Sequence, residues 1–313
     1  MIRLDTELID RIETAFTSLV EKETTMPPIM RVDVPDHNGE VDIKSAYIKG
    51  EDSFAVKLSS GFFNNPALGL PSANGLMILI NSHTGEPLAV LADKGWLTDL
   101  RTAAAGAVAA KYGSRKDSRI AGILGTGAQA RLQLQALMLV RPIEHVFVYG
   151  RSPEKTLQYK QEMEQKLGIN LIVCDSVEQV VGKSDLVVTT TPSKEPLIYG
   201  DWIRPGLHIT AMGSDAEQKR ELDATVLERA DVIVCDVKAQ SARLGELRAS
   251  PNQLDRAIEL GEVTSGKQSF RQADEDITIC DLTGTGVQDT AIARHVYHQL
   301  LVREGVTDER RKV

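Results

Sequence analysis

The apolar positions of this chain follow two grammars that change over near residue 115. Across residues 5–22 they recur at Leu8, Ile9, Ile12, Ala15, Phe16, Leu19 and Val20, the three-to-four spacing of one helical face. Met26-Pro27-Pro28 ends that stripe, since proline lacks the N–H a helix needs. Apolar runs then predict strands at 29–34, 41–48 and 54–59, with a turn at Asp36-His37-Asn38-Gly39. A second hairpin pairs 75–81 with 88–93 through Ser82-His83-Thr84-Gly85-Glu86-Pro87. Residues 96–112 read as a helix whose small face, Ala103, Ala104, Ala105, Gly106, Ala107, Ala109 and Ala110, lets another element approach closely. A helix plus an antiparallel sheet is the expected first segment.

From residue 118 onward strand and helix alternate. Strands are expected at 120–124, 145–149, 170–173, 186–190, 208–211, 232–235 and 277–280, with helical patterns such as 153–167 and 178–181 between them. Alternation of this kind predicts a doubly wound parallel sheet covered on both faces. A last helix spans about 288–304 and can belong to either part of the chain.

The most informative chemistry sits where Ile120–Leu124 runs into Gly125-Thr126-Gly127-Ala128-Gln129-Ala130 and then the helical pattern Ala130, Leu132, Leu134, Leu137, Met138. In a Gly-x-Gly-x-x-Ala turn Gly125 permits the tight bend, Gly127 lets the backbone approach a pyrophosphate, and Ala130 lets helix and strand pack closely. The helix N-terminus then offers N–H groups and a positive dipole end to the phosphates. The pattern is weak alone; its position between an apolar strand and a long helix gives it weight. An NAD site places a carboxylate at the end of the following strand, about 20 residues on, to hold the ribose 2′-hydroxyl. Here that strand ends Tyr149-Gly150-Arg151-Ser152, with no carboxylate. Arg151 and Ser152 suit a 2′-phosphate, so NADP(H) is favoured and NAD(H) is the alternative.

Composition narrows the partners. At 313 residues the chain suits one large or two medium domains, and a formal charge of −8 argues against a nucleic-acid binder. The tail Arg310-Arg311-Lys312 is its only basic run. No apolar stretch of about 18 residues is present, and the first residues are acidic where a signal peptide is basic and then apolar. A cytoplasmic protein without membrane contact is expected. Cys174, Cys235 and Cys280 lack Cys-x-x-Cys spacing and lie in apolar runs, which reads as buried strand residues and no metal.

Candidate substrate groups are cationic. Alternation in residues 54–59 puts Lys57 on a face with Ala55 and Ser59, where its ammonium can bind a carboxylate or give up a proton; a solvated sheet lysine fits the same pattern. Arg31 and Arg101 can each fork a carboxylate, or pair at the surface. Asp215, after the strand 208–211, can orient water or take a proton, or cap a following helix, with Lys219 one helical turn on. Thr283, in Asp281-Leu282-Thr283-Gly284, sits in N–H-rich backbone that suits an anion or a cap.

Taken in order, Met26-Pro27-Pro28, Lys57, Gly69-Leu70-Pro71-Ser72, Leu76-Met77-Ile78-Leu79, Leu100-Arg101-Thr102-Ala103-Ala104-Ala105, the glycine turn, Thr189-Thr190-Thr191-Pro192, Gly213-Ser214-Asp215, Lys219-Arg220-Glu221-Leu222-Asp223, Asp281-Leu282-Thr283-Gly284 and Gln288-Asp289 resemble the ornithine cyclodeaminase and mu-crystallin family over nearly the whole chain. That family includes lyases that cyclise ornithine to proline through a bound NAD, reductases that interconvert imino and amino acids, and mu-crystallin, an NADPH-dependent thyroid-hormone binder. The resemblance implies a Rossmann-type dinucleotide-binding domain over 116–287, and a smaller α+β substrate-binding and dimerisation domain from 1–115 and about 288–313. It implies that Arg31, Lys57 and Arg101 hold the substrate carboxylate and reacting centre and that Asp215 is the acid/base or water-activating residue; Thr283 remains a further substrate-binding candidate. It also implies that Ser72, Arg101, Thr102, Ala128, Gln129, Thr191, Met212 and Lys219 line the cofactor, and that the protein is a homodimer.

Two departures stand out. Ornithine cyclisers carry a glutamate shortly before the lysine, where this chain has Val41-Asp42-Ile43-Lys44, and the missing carboxylate near Arg151 resembles the NADPH-using members. Asn38-Gly39-Glu40-Val41-Asp42, Gly61-Phe62-Phe63 and Leu97-Thr98-Asp99-Leu100-Arg101 resemble cyclodeaminase-like proteins associated with ectoine utilisation. The expected activity is NAD(P)-dependent reduction of a small imino acid or ketimine at the α-carbon, or the reverse. An ammonia-lyase with catalytic NAD and an NADPH-gated binder are the alternatives.

Overall fold

A computed structural model describes residues 2–305, so the Arg310-Arg311-Lys312 tail and the end of the 288–313 segment lie outside the described residues. The chain forms two compact units. One takes Ser18–Arg101 and the C-terminal segment that begins at Thr285; the other takes Leu4–Thr17 and Thr102–Gly284. The division falls inside the small-residue helix α2 (Trp96–Gly113), whereas the sequence reading draws the boundary after residue 115.

The first unit is a mixed-length antiparallel sheet with a helix on one face. Its strands are β1 (Thr24–Thr25), β2 (Met30–Val34), β3 (Gly39–Ile48), β4 (Ser53–Phe62), β5 (Ala73–Asn81) and β6 (Pro87–Leu91), joined in the order β1-β3-β4-β5-β6 with β2 also on β3. Period-two alternation sorts the side chains into two faces. Register stacks Ala46, Ala55, Leu79 and Ala89 in one row, Lys44, Lys57, Met77 and Leu91 in the next, then Arg31, Asp42, Ser59 and Gly75. The last helix, α9 (Gly286–Arg303), covers this face. Its first residue has to be glycine: a Cβ on Gly286 would lie 2.4 Å from the Ser45 carbonyl oxygen. Thr290 fixes the contact by donating to the Ala46 carbonyl at 2.8 Å and accepting the Ala55 N–H at 3.1 Å. The opposite face carries Ile43, Tyr47, Phe54, Val56, Leu58, Leu76, Ile78 and Ile80, all half-buried, with Val90 exposed.

The second unit is an eight-stranded parallel sheet: β7 (Ile120–Leu124), β8 (His145–Tyr149), β9 (Asn170–Val173), β10 (Leu186–Thr189), β11 (His208–Ala211), β12 (Val232–Cys235), β13 (Ile258–Glu259) and β14 (Thr278–Asp281). Their spatial order, β13-β12-β14-β11-β10-β7-β8-β9, runs outward in both directions from β7 and β10. That reversal is the topological switch point at which open α/β sheets bind ligands beyond the carboxyl ends of their strands. Separate apolar cores lie on the two faces. One packs Ala130, Leu134 and Leu137 of α3 (Ala128–Val140) and Tyr159 and Met163 of α4 (Pro153–Leu167) on Ile123, Val148 and Val188. The other packs Val180 and Val181 of α5 (Val177–Lys183) and Val226 and Leu227 of α6 (Ala224–Arg229) on Val187, Ile209 and Ile233. Strands buried on both faces must be apolar throughout, which is why they read as continuous runs. Cys235 and Cys280 lie in β12 and β14 and Cys174 just past β9; all three are buried free thiols. Among the described residues no helix is long and apolar enough to cross a membrane, and no His, Cys, Asp and Glu side chains are grouped to hold a metal.

Candidate active site

In the first unit the α9 face gathers charge at one point. Lys57 is 1 % exposed; its ammonium lies 3.1 Å from Asp289 Oδ2, and Arg101 Nε lies 3.0 Å from Asp289 Oδ1. Gln288 Oε1 accepts both the Thr285 N–H at 2.8 Å and Arg101 Nη1 at 3.0 Å, so the start of α9 also orients the guanidinium. Two cations share one carboxylate here, leaving a positive charge that suits a bound anion. Burial drives the Lys57 pKa down to about 7; Arg101 and Lys44, its partner across β3, push the same way, and Asp289 opposes them. A solvated lysine is thereby excluded. Near neutral pH this amine can both hold a charge and pass on a proton. The sequence names Asp289 only as part of a family motif and gives it no role. A carboxylate in the first turn of a helix ordinarily reads as a dipole partner, and nothing local marks it as buried.

Arg31 lies on the same face one row away, but its guanidinium is engaged. It forks Asp42, its direct cross-strand partner, at 2.7 and 2.9 Å, with Glu40 at 3.7 Å. Ser72 precedes β5, and its carbonyl accepts the Phe62 N–H at 2.8 Å.

In the second unit the glycine turn has the form a dinucleotide requires. Gly125 has φ +114°, a conformation that disfavours side chains, and a Cβ there would meet Thr190 Oγ1 at 2.6 Å. Gly127 is the N-cap of α3 with no side-chain cap, and a Cβ on it would meet nothing within 4 Å. Open space therefore faces uncapped helical N–H groups, begun by Ala128 and Gln129, which is the arrangement that receives phosphate. Gln133, buried against Gly106, donates to the Thr102 carbonyl at 3.0 Å and to Gln129 Oε1 at 3.4 Å, tying those two candidates together. Next door, Gly125 N–H donates to the Tyr149 carbonyl at 3.0 Å, bringing the end of β8 alongside. Arg151 is exposed there, and Ser152 caps α4 by accepting the Lys155 N–H.

Thr191 and Met212 follow adjacent strands β10 and β11. Asp215 is half-exposed and 2.6 Å from Lys219, which is nearly buried. No helix begins at Asp215; the nearest, α6, is capped by Asp223 instead. Thr283 follows β14, the strand next to β11. Its N–H and hydroxyl, with the Gly284 N–H, converge on the buried Asp236 carboxylate at 2.6 to 3.1 Å, and the Thr283 hydroxyl also accepts from Gln240. The N–H-rich backbone does meet an anion, and that anion is a side chain of this chain.

Known proteins share both the sequence and this architecture. An uncharacterised cyclodeaminase of Sinorhizobium fredii is 50 % identical over 94 % of this chain and 90 % of its own length. The structure of Thermococcus litoralis Δ1-pyrroline-2-carboxylate reductase in complex with NADH and L-proline superposes with a TM-score of 0.90 at 33 % identity, over 97 % of this chain and 95 % of that one. An archaeal alanine dehydrogenase dimer with bound NAD gives 0.89 at 34 % identity, over 97 % and 93 %. The profile of the ornithine cyclodeaminase/mu-crystallin family matches residues 1–304, and the chain belongs to that family.

Proposed function

We propose that the protein is a nicotinamide-dependent oxidoreductase that reduces a small α-imino acid or cyclic ketimine to the amino acid, or runs the reverse. The observation that carries this reading is the buried Lys57–Asp289–Arg101 cluster, which pairs excess positive charge with an amine that titrates near neutrality. Relatives named as an alanine dehydrogenase, pyrroline-2-carboxylate reductases and an iminosuccinate reductase share this reaction type and align over nearly the whole chain. Reduction adds one hydride to the C=N carbon and one proton to nitrogen, and the bound dinucleotide supplies the hydride. The chain supplies the rest. Arg101 and Lys57 hold the α-carboxylate, with Arg31 at its edge. Lys57 or Asp215 delivers the proton to the nitrogen, and Lys219, 2.6 Å away, holds Asp215 in place. The glycine turn, Gln129, Thr102, Thr191 and Met212 hold the cofactor, and Ser72 and Thr283 complete the substrate and cofactor walls.

For the cofactor we favour NADP(H). Support comes from the exposed Arg151 and the absence of a carboxylate after β8, where an NAD site normally has one. Oxidation of NADPH and of NADH, followed with pyruvate plus amines, iminosuccinate and cyclic ketimines, tests both points. Net cofactor consumption is the expected result. Ammonia release from a diamine without net cofactor change identifies a lyase instead, and neither signal identifies a binding protein. The half-buried apolar face of the first sheet, centred on Val56 and Ile78, supports a homodimer closed through that face.

A further inference from the structure

Glu221 is fully buried in the second unit, yet no cation faces it among the described residues. Four donors meet its carboxylate instead: Thr189 Oγ1 at 2.5 Å and Gly213 N–H at 2.8 Å on Oε2, and the Thr191 N–H and hydroxyl, each at 2.7 Å, on Oε1. These donors come from the ends of two neighbouring strands, β10 and β11, just where their ladder of backbone hydrogen bonds stops. The fit is tight. A Cβ on Gly213 would lie 2.1 Å from the Thr191 carbonyl oxygen and 2.6 Å from the Glu221 carboxyl. Glu221 is itself anchored, because Glu246 accepts its N–H at 2.8 Å and that of Leu222 at 3.0 Å. Without the carboxylate, the part-buried Thr191 and Gly213 amides would lose their partner, a state proteins avoid.

We infer that Glu221 is a positioning residue, a carboxylate clasp that sets the spacing of the β10 and β11 ends and so places Thr191, Met212 and Asp215 for the cofactor and the reaction. The inference rests on the dinucleotide reading above, which assigns those three residues their roles. It makes a chemical demand that ordinary packing would not. Both carboxylate oxygens accept a backbone N–H, so an isosteric amide must aim its NH2 at one of them, donor against donor. A residue needed only to fill volume would tolerate Glu221→Gln.

The test uses the full chain, with NADPH as probe, and measures Kd by fluorescence titration together with kcat and the melting temperature. For Glu221→Gln the expected result is a Kd raised about tenfold and a kcat reduced by at least as much, the scale of one buried donor left unpaired. Thr189→Val removes one donor while keeping the β-branched strand residue, and is expected to raise Kd about threefold. Should Glu221→Gln fail to fold, Thr189→Val decides alone. Wild-type Kd and kcat in the folded variants, with only the melting temperature lowered, overturn the inference and leave the dinucleotide reading standing. A wild-type protein that binds neither NADPH nor NADH overturns that reading and the inference with it.

Discussion

Lys57 on β4 and Asp289 on α9 form an ion pair of 3.1 Å in which both side chains are buried, and Arg101 takes the second carboxylate oxygen. The arrangement is asymmetric. Removing the anion leaves two buried cations facing each other, whereas removing Lys57 leaves Asp289 still paired. Breaking a buried pair by deleting one partner costs about 3–5 kcal/mol, and replacing a partner by an apolar residue of similar volume costs much less when the remaining charge stays compensated. Asp289→Asn is therefore expected to lower the melting temperature far more than Lys57→Met, while both abolish measurable turnover. Calorimetry on the two variants checks the order; equal losses of stability would remove Asp289 from the centre of the cluster.

Proton transfer through Lys57 fixes the sign of the pH dependence. With its pKa lowered to about 7 by burial, Arg101 and Lys44, Lys57 is an ammonium in the free protein below that pH and an amine above it. Imine reduction consumes a proton, so kcat/KM for reduction should fall about tenfold per pH unit above neutrality, and amino-acid oxidation should rise through the same range. Lys57→Arg keeps the charge at every accessible pH. It is expected to be slower and to lose this limb of the profile. An unchanged limb in Lys57→Arg would move the proton donor to Asp215.

The sequence made some of this visible and hid the rest for physical reasons. The glycine turn and the strands of the parallel sheet are local patterns, so Gly125, Gly127 and Ile120–Leu124 could be read directly. Lys57 could be placed on a face by alternation, but its partner could not, because the two meet only when α9 returns to the first sheet. Buried acids were the least legible. Glu221, Asp236, Glu246 and Asp281 are all buried here, and carboxylates in a sequence ordinarily read as solvent-facing. Thr283 shows the same effect, since the anion its backbone awaits is Asp236. The strand β13 is only two residues long and leaves no periodicity to detect.

Arg151 allows a selective test of the cofactor. A charge-assisted contact to the 2′-phosphate is worth about 1.5–3 kcal/mol, or roughly ten- to a hundredfold in affinity. Because Arg151 is exposed, its truncation should leave the fold intact. Arg151→Ala is expected to reduce kcat/KM for NADPH by that factor and leave NADH unaffected. A wild-type protein that prefers NADH, or a variant that loses both cofactors equally, would sink the assignment.

The outer face of the first sheet predicts the assembly. Val56, Ile78 and Val90 are cross-strand neighbours running from β4 to the edge strand β6, and none is fully buried in the single chain. Apolar side chains at this density on one sheet face are more than a monomer ordinarily leaves in water. In a twofold dimer the same patch meets its own copy, so one new charge is introduced twice and faces its like. Ile78→Lys is accordingly expected to convert the dimer to monomer in sedimentation experiments. The folded chain should keep most of its stability, because the lysine stem can lie along the sheet with its ammonium in solvent. Sedimentation of the wild-type protein as a monomer, or of the variant as an unaltered dimer, would show that this face is not the interface.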